Sequence, residues 1–202
     1  MNREITREPT LPQEDAALVK AFQAGNKASF DELVLRHKDR LFNLCFRFLG
    51  DYQEANDSAQ EVFVKIYRSL KGFRFESAFS TWLYRIAVNT CKNKLKSSEY
   101  RHKKKMVHLD NPGILEGSTG ALEIRDDTQS PLLELERKER LNLIRQAIDS
   151  LPPARKMVVV LRDIEELSYE DIAHITDYSL GTVKSRLSRA RLDLRKKLVK
   201  VI

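Results

Sequence analysis

The chain has 202 residues and a formal net charge of +7, with 36 lysines and arginines against 29 aspartates and glutamates. This basic but mixed composition favours a soluble protein with a nucleic-acid-binding surface over a purely cationic tail. No segment approaches the roughly 18 uninterrupted apolar residues of a membrane span, so we expect a cytoplasmic protein that does not insert into membranes. Cys45 and Cys91 stand among apolar residues without metal-ligand spacing, and we expect buried, reduced thiols rather than a disulfide.

Helical periodicity runs through the chain from Gln13 onward. The sequence has only 7 glycines and no alternating apolar runs of the strand type, which predicts an all-α protein. The first half is predicted to contain four helices, at about residues 15–24, 29–48, 53–70 and 80–96. We expect them to form a bundle, preceded by a disordered N-terminus over residues 1–12.

The composition changes between Lys103 and Pro131. A short basic run gives way to an acidic stretch rich in glycine and proline, which is the composition of a flexible linker and which we assign to residues 101–131. Helical periodicity then returns, and Pro152-Pro153 opens a short apolar helix at about 157–161. The sequence therefore predicts two small helical domains, 13–100 and 132–202, joined by a flexible linker.

Residues 167–197 predict two short helices joined by a tight corner. Ser168, followed by Asp171, resembles a capping box at the start of the first helix. The run 177–179 supplies the break, and Ser179 can cap the second helix. Apolar residues recur along that helix at helical spacing: Val183, Leu187, Ala190, Leu194 and Leu198. This pattern is typical of a helix-turn-helix that binds DNA.

The other faces of this second helix are crowded with lysine and arginine against a single acid, Asp193. A solvated basic face is the plain alternative, because helix–corner–helix units are common in all-α proteins. Position favours DNA, since such motifs touch base edges with the first turns of their second helix. The residues in those turns are Thr182, Lys184, Ser185, Ser188 and Arg189.

The fourth predicted helix also has a face that the bundle does not need. The inward face is formed by Phe79, Leu83, Ile86 and Thr90. The remaining faces carry Trp82, Arg85, Asn89, Lys92, Asn93 and Lys96. Asparagine is a mediocre helix former, so Asn89 and Asn93 in mid-helix are either ordinary surface residues or amides that read a base edge.

The loop before this helix interleaves aromatic rings with cations: Phe73, Phe75 and Phe79 with Lys71 and Arg74. Such a pattern suits the stacking and charge neutralisation of a single-stranded base. Capping of the hydrophobic core explains the rings equally well. Both interpretations hold if the loop borders a pocket for one unstacked base.

Longer runs resemble bacterial RNA polymerase sigma factors of the extracytoplasmic-function group. The run from Ala55 to Phe63 resembles the core-binding helix of that family, and the run from Phe73 to Asn89 resembles its promoter-opening segment. In the second half, the runs from Leu167 to Ala173 and from Gly181 to Leu187 resemble its −35-reading domain. The resemblance covers the chain apart from its first dozen residues and the linker.

The resemblance implies a non-enzymatic initiation factor that needs no metal or cofactor and is controlled by an anti-sigma factor. Residues 13–100 would be sigma region 2, which binds core RNA polymerase and captures the opened −10 element. Residues 132–202 would be region 4, which reads the −35 duplex, and the acidic linker suits a cationic RNA channel.

Carried over position by position, Asn89 matches a residue of the family that contacts the −10 element, and four residues match the face of its −35 recognition helix: Lys184, Ser185, Ser188 and Arg189. Together with the other residues singled out above, they give three sets of candidate site residues. The −10 set is Phe73, Arg74, Trp82, Asn89, Lys92 and Asn93; the −35 set is the first-turn group of Thr182, Lys184, Ser185, Ser188 and Arg189. The core polymerase set is Asp57, Gln60 and Glu61.

The sequence departs from the family at Asn56, which replaces an acid, at Lys156, which replaces arginine, and at Phe75, where a small residue is common. Phe75 leaves open the shape of the loop and the base it accepts. Two rival functions lack their sequence features. A repressor or response regulator needs a sensor half with alternating strands and helices, and a recombinase or nuclease needs clustered carboxylates or a nucleophile with a base.

Overall fold

The computed structural model describes residues 11–97 and 131–199, and within these ranges it contains helices and no strand, which confirms the all-α prediction. The first range holds α1 Leu11–Gln23, α2 Ala28–Leu49, α3 Tyr52–Ser69, a 3-10 turn Leu70–Gly72 and α4 Phe79–Lys96. The second holds α5 Pro131–Asp149, α6 Pro153–Val159, a π-helical turn Val160–Ile164, α7 Tyr169–Thr176 and α8 Leu180–Leu198. None of the helices described here has the length and apolar character to cross a bilayer.

Helix α1 begins earlier than the sequence predicts. Leu11 and Pro12, assigned above to a disordered N-terminus, are its first residues. Proline is tolerated in a first helical turn because the N–H that it lacks would have had no partner there. Residues 1–10 lie outside the described ranges, and so does the predicted linker except for Pro131, which begins α5.

Helices α1 to α4 pack into the predicted four-helix bundle. Gly50 ends α2 in the left-handed region at a φ of 76°, and the Asp51 carboxylate caps α3 by accepting from the Glu54 N–H at 2.8 Å. Cys45 and Cys91 are buried and unbridged, as predicted. A hydrogen bond with Cys45 and burial both raise the pKa of the Cys91 thiol.

The second half folds as the predicted helix-turn-helix. The Ser168 hydroxyl accepts from the Asp171 N–H at 3.0 Å and begins α7. Asp177 ends that helix in the left-handed region at a φ of 58°, and the Ser179 hydroxyl accepts from the Thr182 N–H at 3.2 Å to begin α8. Of the predicted apolar stripe, the first three residues are buried and the last two are half-buried.

The two halves pack against each other, with α7 lying on α4, and their buried side chains form one continuous core. Glu165 is only 7% exposed at this contact. Its carboxylate accepts hydrogen bonds from the Tyr84 hydroxyl and from Arg40 Nε, each at 3.0 Å. A buried carboxylate that is paired in this way ties α2 and α4 of the first half to the second half.

Candidate nucleic-acid interface

The loop over residues 73–78 joins the 3-10 turn to α4 and is anchored by Phe73. This ring is 9% exposed and lies 4.9 Å from Trp82 and 6.4 Å from Phe79, centroid to centroid. The core-capping interpretation therefore describes Phe73. Trp82 is half-buried above it, so the pair fixes the loop to the first turn of α4.

Phe75 stands at the outer end of the same loop. It is 38% exposed, and its ring meets that of Phe73 edge to face at 5.0 Å. Its φ of 59° is in the left-handed region, which costs a residue other than glycine roughly 1–2 kcal/mol. Arg74 beside it is exposed. The loop thus presents an aromatic ring and a cation together, which can stack one unpaired base and contact its phosphate.

Asn89 and Asn93 follow the loop along the outer face of α4. They are one turn apart, so their side chains project from the same side of the helix. Asn89 is half-buried and Asn93 is exposed, and neither amide has a hydrogen-bond partner among the described residues. Two unoccupied amides on one face can bond to base edges.

Lys92 lies at the edge of this face and is not free. Its ammonium donates to the Thr176 carbonyl at 3.0 Å and lies 5.1 Å from the centroid of the Tyr178 ring. Burial lowers the pKa of Lys92, with Asp177 opposing that effect. Arg85, on the same edge, contacts the Asp177 carboxylate at 3.2 Å. The bundle does not need this edge, as the sequence predicts, but the C-terminal end of α7 packs against it.

The first turns of α8 form the second candidate surface, and the structure brings all five predicted −35 residues to it. Thr182 is half-buried, and the Ser185 hydroxyl donates back to the Thr182 carbonyl at 3.1 Å. Lys184 is exposed, with its ammonium 6.0 Å from the Tyr169 ring centroid. Ser188 and Arg189 are exposed and make no hydrogen bond or ion pair within the described ranges. This end of α8 is therefore open to a DNA groove.

Several other cations of α8 are held by the protein itself. Arg191 pairs with Asp163 at 2.5 Å, and this hydrogen bond raises the pKa of Arg191. Arg186 stacks over the Tyr178 ring at 3.8 Å. Lys197 donates to the Ser150 hydroxyl. Arg191 and Lys197 thus tie the later half of the helix to its neighbours, whereas Arg186 is the one of these three that lies among the first turns.

The three predicted polymerase contacts, Asp57, Gln60 and Glu61, are all exposed on α3. Helical spacing aligns them with Val64, an apolar residue that is also exposed. Glu61 pairs with Lys65 at 2.6 Å. The outer face of α3 thus offers acidic, amide and apolar groups side by side to a large partner.

Two residues of α1 at the loop were missed from the sequence. Gln23 Nε2 donates to the carbonyls of Leu70 and Phe73 at 3.1 and 2.9 Å. Lys20 places its ammonium 5.7 Å from the Phe75 ring centroid. Neither residue belongs to a motif, because each contact joins segments that are far apart in the chain.

Two family models match the chain, Sigma-70 region 2 over residues 33–100 and Sigma-70, region 4 over residues 141–194. The chain is 41% identical to the RNA polymerase sigma-H factor of Pseudomonas aeruginosa, over 92% of this chain and 94% of that protein. It is 38% identical to the ECF RNA polymerase sigma-E factor of Escherichia coli K12, over 93% and 96%.

Among solved structures, the fold resembles that of the sigma factor RpoE from Bartonella quintana in its complex with the anti-sigma factor NepR. The TM-score is 0.60 at 22% identity, covering 84% of this chain and 96% of that one. At this identity the likeness shows the fold alone. The family is shown by the sequence relatives, which are 41% and 38% identical over 92% and 93% of this chain. The chain belongs to the extracytoplasmic-function (ECF) group of RNA polymerase sigma factors.

Proposed function

We propose how this sigma factor divides its work among its helices. As a sigma factor it binds core RNA polymerase and directs promoter recognition and transcription initiation. In our proposal the exposed face of α3 contacts the polymerase, α4 and the loop over residues 73–78 bind the opened −10 element, and the first turns of α8 read the −35 duplex. Residues 13–100 and 132–202 act as regions 2 and 4, and residues 101–131 link them.

One observation carries the division between the two DNA elements. Asn89 and Asn93 present side-chain amides without partners among the described residues on α4, and the loop before that helix exposes the aromatic ring of Phe75, which together suit unpaired bases. The open turns of α8 instead carry a helix N-terminus with hydroxyls and cations, which suits the major groove of a duplex. One surface therefore offers groups that suit unpaired bases, and the other offers groups that suit the groove of a duplex.

The same proposal places this chain among regulatory proteins without a catalytic site, working in the cytoplasm with the polymerase. It also includes control by an anti-sigma factor, which the structural likeness to a sigma factor bound to such a partner supports. An anti-sigma factor would act by covering surfaces that the polymerase or the promoter needs.

Transcript mapping tests the proposal. The purified chain is added to core polymerase on a library of promoter fragments, and the start sites are sequenced. We expect shared −10 and −35 sequences upstream of the starts, and no such selection by core polymerase alone. Equally strong sequence-specific binding to a full promoter without core would instead favour a repressor, because neither small DNA surface is expected to hold a promoter by itself.

A further inference from the structure

Gln23, the last residue of α1, reaches across to the segment that enters the base-accepting loop. Its side-chain amide donates to the Leu70 carbonyl at 3.1 Å and to the Phe73 carbonyl at 2.9 Å, with the Lys71 carbonyl more distant at 3.4 Å. An amide has two N–H donors, and each of the short contacts uses one of them. The Leu70 carbonyl also accepts from the Phe73 N–H at 3.1 Å in the 3-10 turn, so the Gln23 amide joins the hydrogen bonds that close this turn.

Lys20 contacts the far end of the same loop from the preceding turn of α1. Its ammonium lies 5.7 Å from the centroid of the Phe75 ring. Residues three apart on a helix share a face, so Lys20 and Gln23 meet the loop together. The backbone beneath Phe73 and the ring of Phe75 are thereby both held by α1.

Helix α1 is itself firmly seated. Val19 is fully buried and Phe22 is 4% exposed. The Phe22 ring lies 5.7 Å from that of Phe30 and 5.4 Å from that of Tyr67, centroid to centroid. A contact from such a helix restricts the loop, whereas a contact from a mobile segment would move with it.

We propose that Gln23 and Lys20 are positioning residues for −10 recognition: by fixing the loop over residues 73–78, they set which unpaired base it accepts. The inference rests on the proposed role of that loop in binding the −10 element. Phe75 adopts a left-handed backbone that its side chain disfavours, so the loop needs support from outside to keep this shape. Recognition sites must be held to within about 0.5 Å, and here α1 supplies the supporting contacts.

The test uses the full chain bound to core polymerase. Gln23→Met removes both donors at similar side-chain length, and Gln23→Glu keeps the shape while replacing the donors by a carboxylate that repels the carbonyls. Lys20→Met removes the cation alone and leaves the hydrogen bonds in place. Gln146→Met is the matched control, because Gln146 is exposed on α5 far from the loop in sequence. Binding is measured to promoter fragments in which each −10 position is changed in turn.

Both Gln23 variants are expected to reduce discrimination at one or two neighbouring −10 positions by about fivefold, the lower end of the worth of a base contact. Lys20→Met should have a smaller effect at the same positions. Affinity for core polymerase and discrimination at the −35 element should not change. Trp82, the single tryptophan of the chain, lies 4.9 Å from Phe73, so its emission should shift in the Gln23 variants at temperatures where the fold is intact.

A lowered melting temperature with unchanged −10 preference would overturn the inference and leave Gln23 as a brace for stability only. If Lys20→Met, which is expected to fold normally, shifted no −10 preference, the positioning role proposed for Lys20 would be refuted. If the unaltered chain with core polymerase discriminated at no −10 position, the proposed role of the loop would fail, and the inference would fall with it.

Discussion

Replacing Asn89 by alanine tests the −10 surface at the level of one side chain. The amide is half-buried on α4 and has no partner among the described residues, so the folded chain loses no internal hydrogen bond. We expect −10 discrimination to fall by about 1–3 kcal/mol, the usual worth of one good base contact. Binding of core polymerase, measured by fluorescence anisotropy, should not change.

Asn43→Ala provides the control, because Asn43 is a half-buried asparagine in the middle of α2. It should leave promoter selection as it is. If Asn89→Ala instead melts earlier than Asn43→Ala and loses core binding, then Asn89 is structural and our assignment of its face is wrong.

Single residues also show why part of the surface could not be predicted. Asn89 stands out in the sequence because asparagine in mid-helix is locally unfavourable. For Lys92 the sequence predicts only that the bundle does not need its face, because periodicity describes only the helix to which a residue belongs. Its partner carbonyl, on Thr176, lies 84 positions further along the chain. No local pattern reports a contact of that kind, and the same holds for Gln23.

At the level of the element, α8 should act differently at its two ends. Arg189 is exposed in the early turns, whereas Lys197 lies in the last turns and donates to Ser150. Arg189→Ala should flatten discrimination at one or two −35 positions through loss of a base-edge contact. Lys197→Ala should weaken all sequences alike and lower the salt slope of binding by about one unit through loss of a phosphate contact.

Binding of the holoenzyme to −35 variants across a range of salt concentrations distinguishes the two ends. Unchanged −35 preference for Arg189→Ala would refute the proposed orientation of α8 in the groove. If Lys197→Ala left the DNA affinity and its salt dependence unchanged, Lys197 would contact only Ser150 and solvent and no phosphate.

The start of α8 gives a prediction about stability. The Ser179 hydroxyl accepts from the Thr182 N–H at 3.2 Å, so Ser179→Ala should cost about 1 kcal/mol of unfolding free energy. Ser179→Asp should restore most of this loss, since aspartate caps equally well and its charge suits the helix N-terminus. Urea unfolding followed by circular dichroism measures both. Equal stability of all three chains would mean that the cap contributes nothing measurable.

Elements were predicted well where their signals are local. The caps at Ser168 and Ser179 lie within three residues of the groups they bind, so the helix-turn-helix is visible in the sequence. The start of α1 was placed late because Leu11 and Pro12 follow a charged, proline-containing stretch that resembles disorder. Val19 and Phe22 make that helix stable through burial in the bundle, which periodicity alone does not measure.

At the scale of the whole molecule, the feature that the sequence does not predict is the contact between the two halves. Two separate helical units joined by a linker were predicted, and the structure adds that α7 packs across α4. Besides the pairs at Glu165, the Thr81 hydroxyl contacts the Asp171 carboxylate at 3.3 Å. The same packing occupies Lys92, a candidate −10 residue, while the early turns of α8 stay open. In the free chain the two surfaces that we propose to contact the promoter are therefore unequally accessible.

Reversing the charge of Arg40 should expose the covered surface. Arg40→Glu sets a second carboxylate against the buried Glu165, which disfavours the packed arrangement. Lys38→Glu makes the same charge change at an exposed position of α2 and serves as the control. The free Arg40→Glu chain should bind a single-stranded −10 oligonucleotide about fivefold more tightly than the control, because a larger fraction of molecules is competent to bind. Its radius of gyration, from small-angle X-ray scattering, should increase as well.

Within the holoenzyme the two variants should bind alike, since the polymerase rather than Arg40 then fixes the positions of the two domains. Equal oligonucleotide affinity and equal radius for both free chains would show that the packing of α7 on α4 does not limit access to the −10 surface.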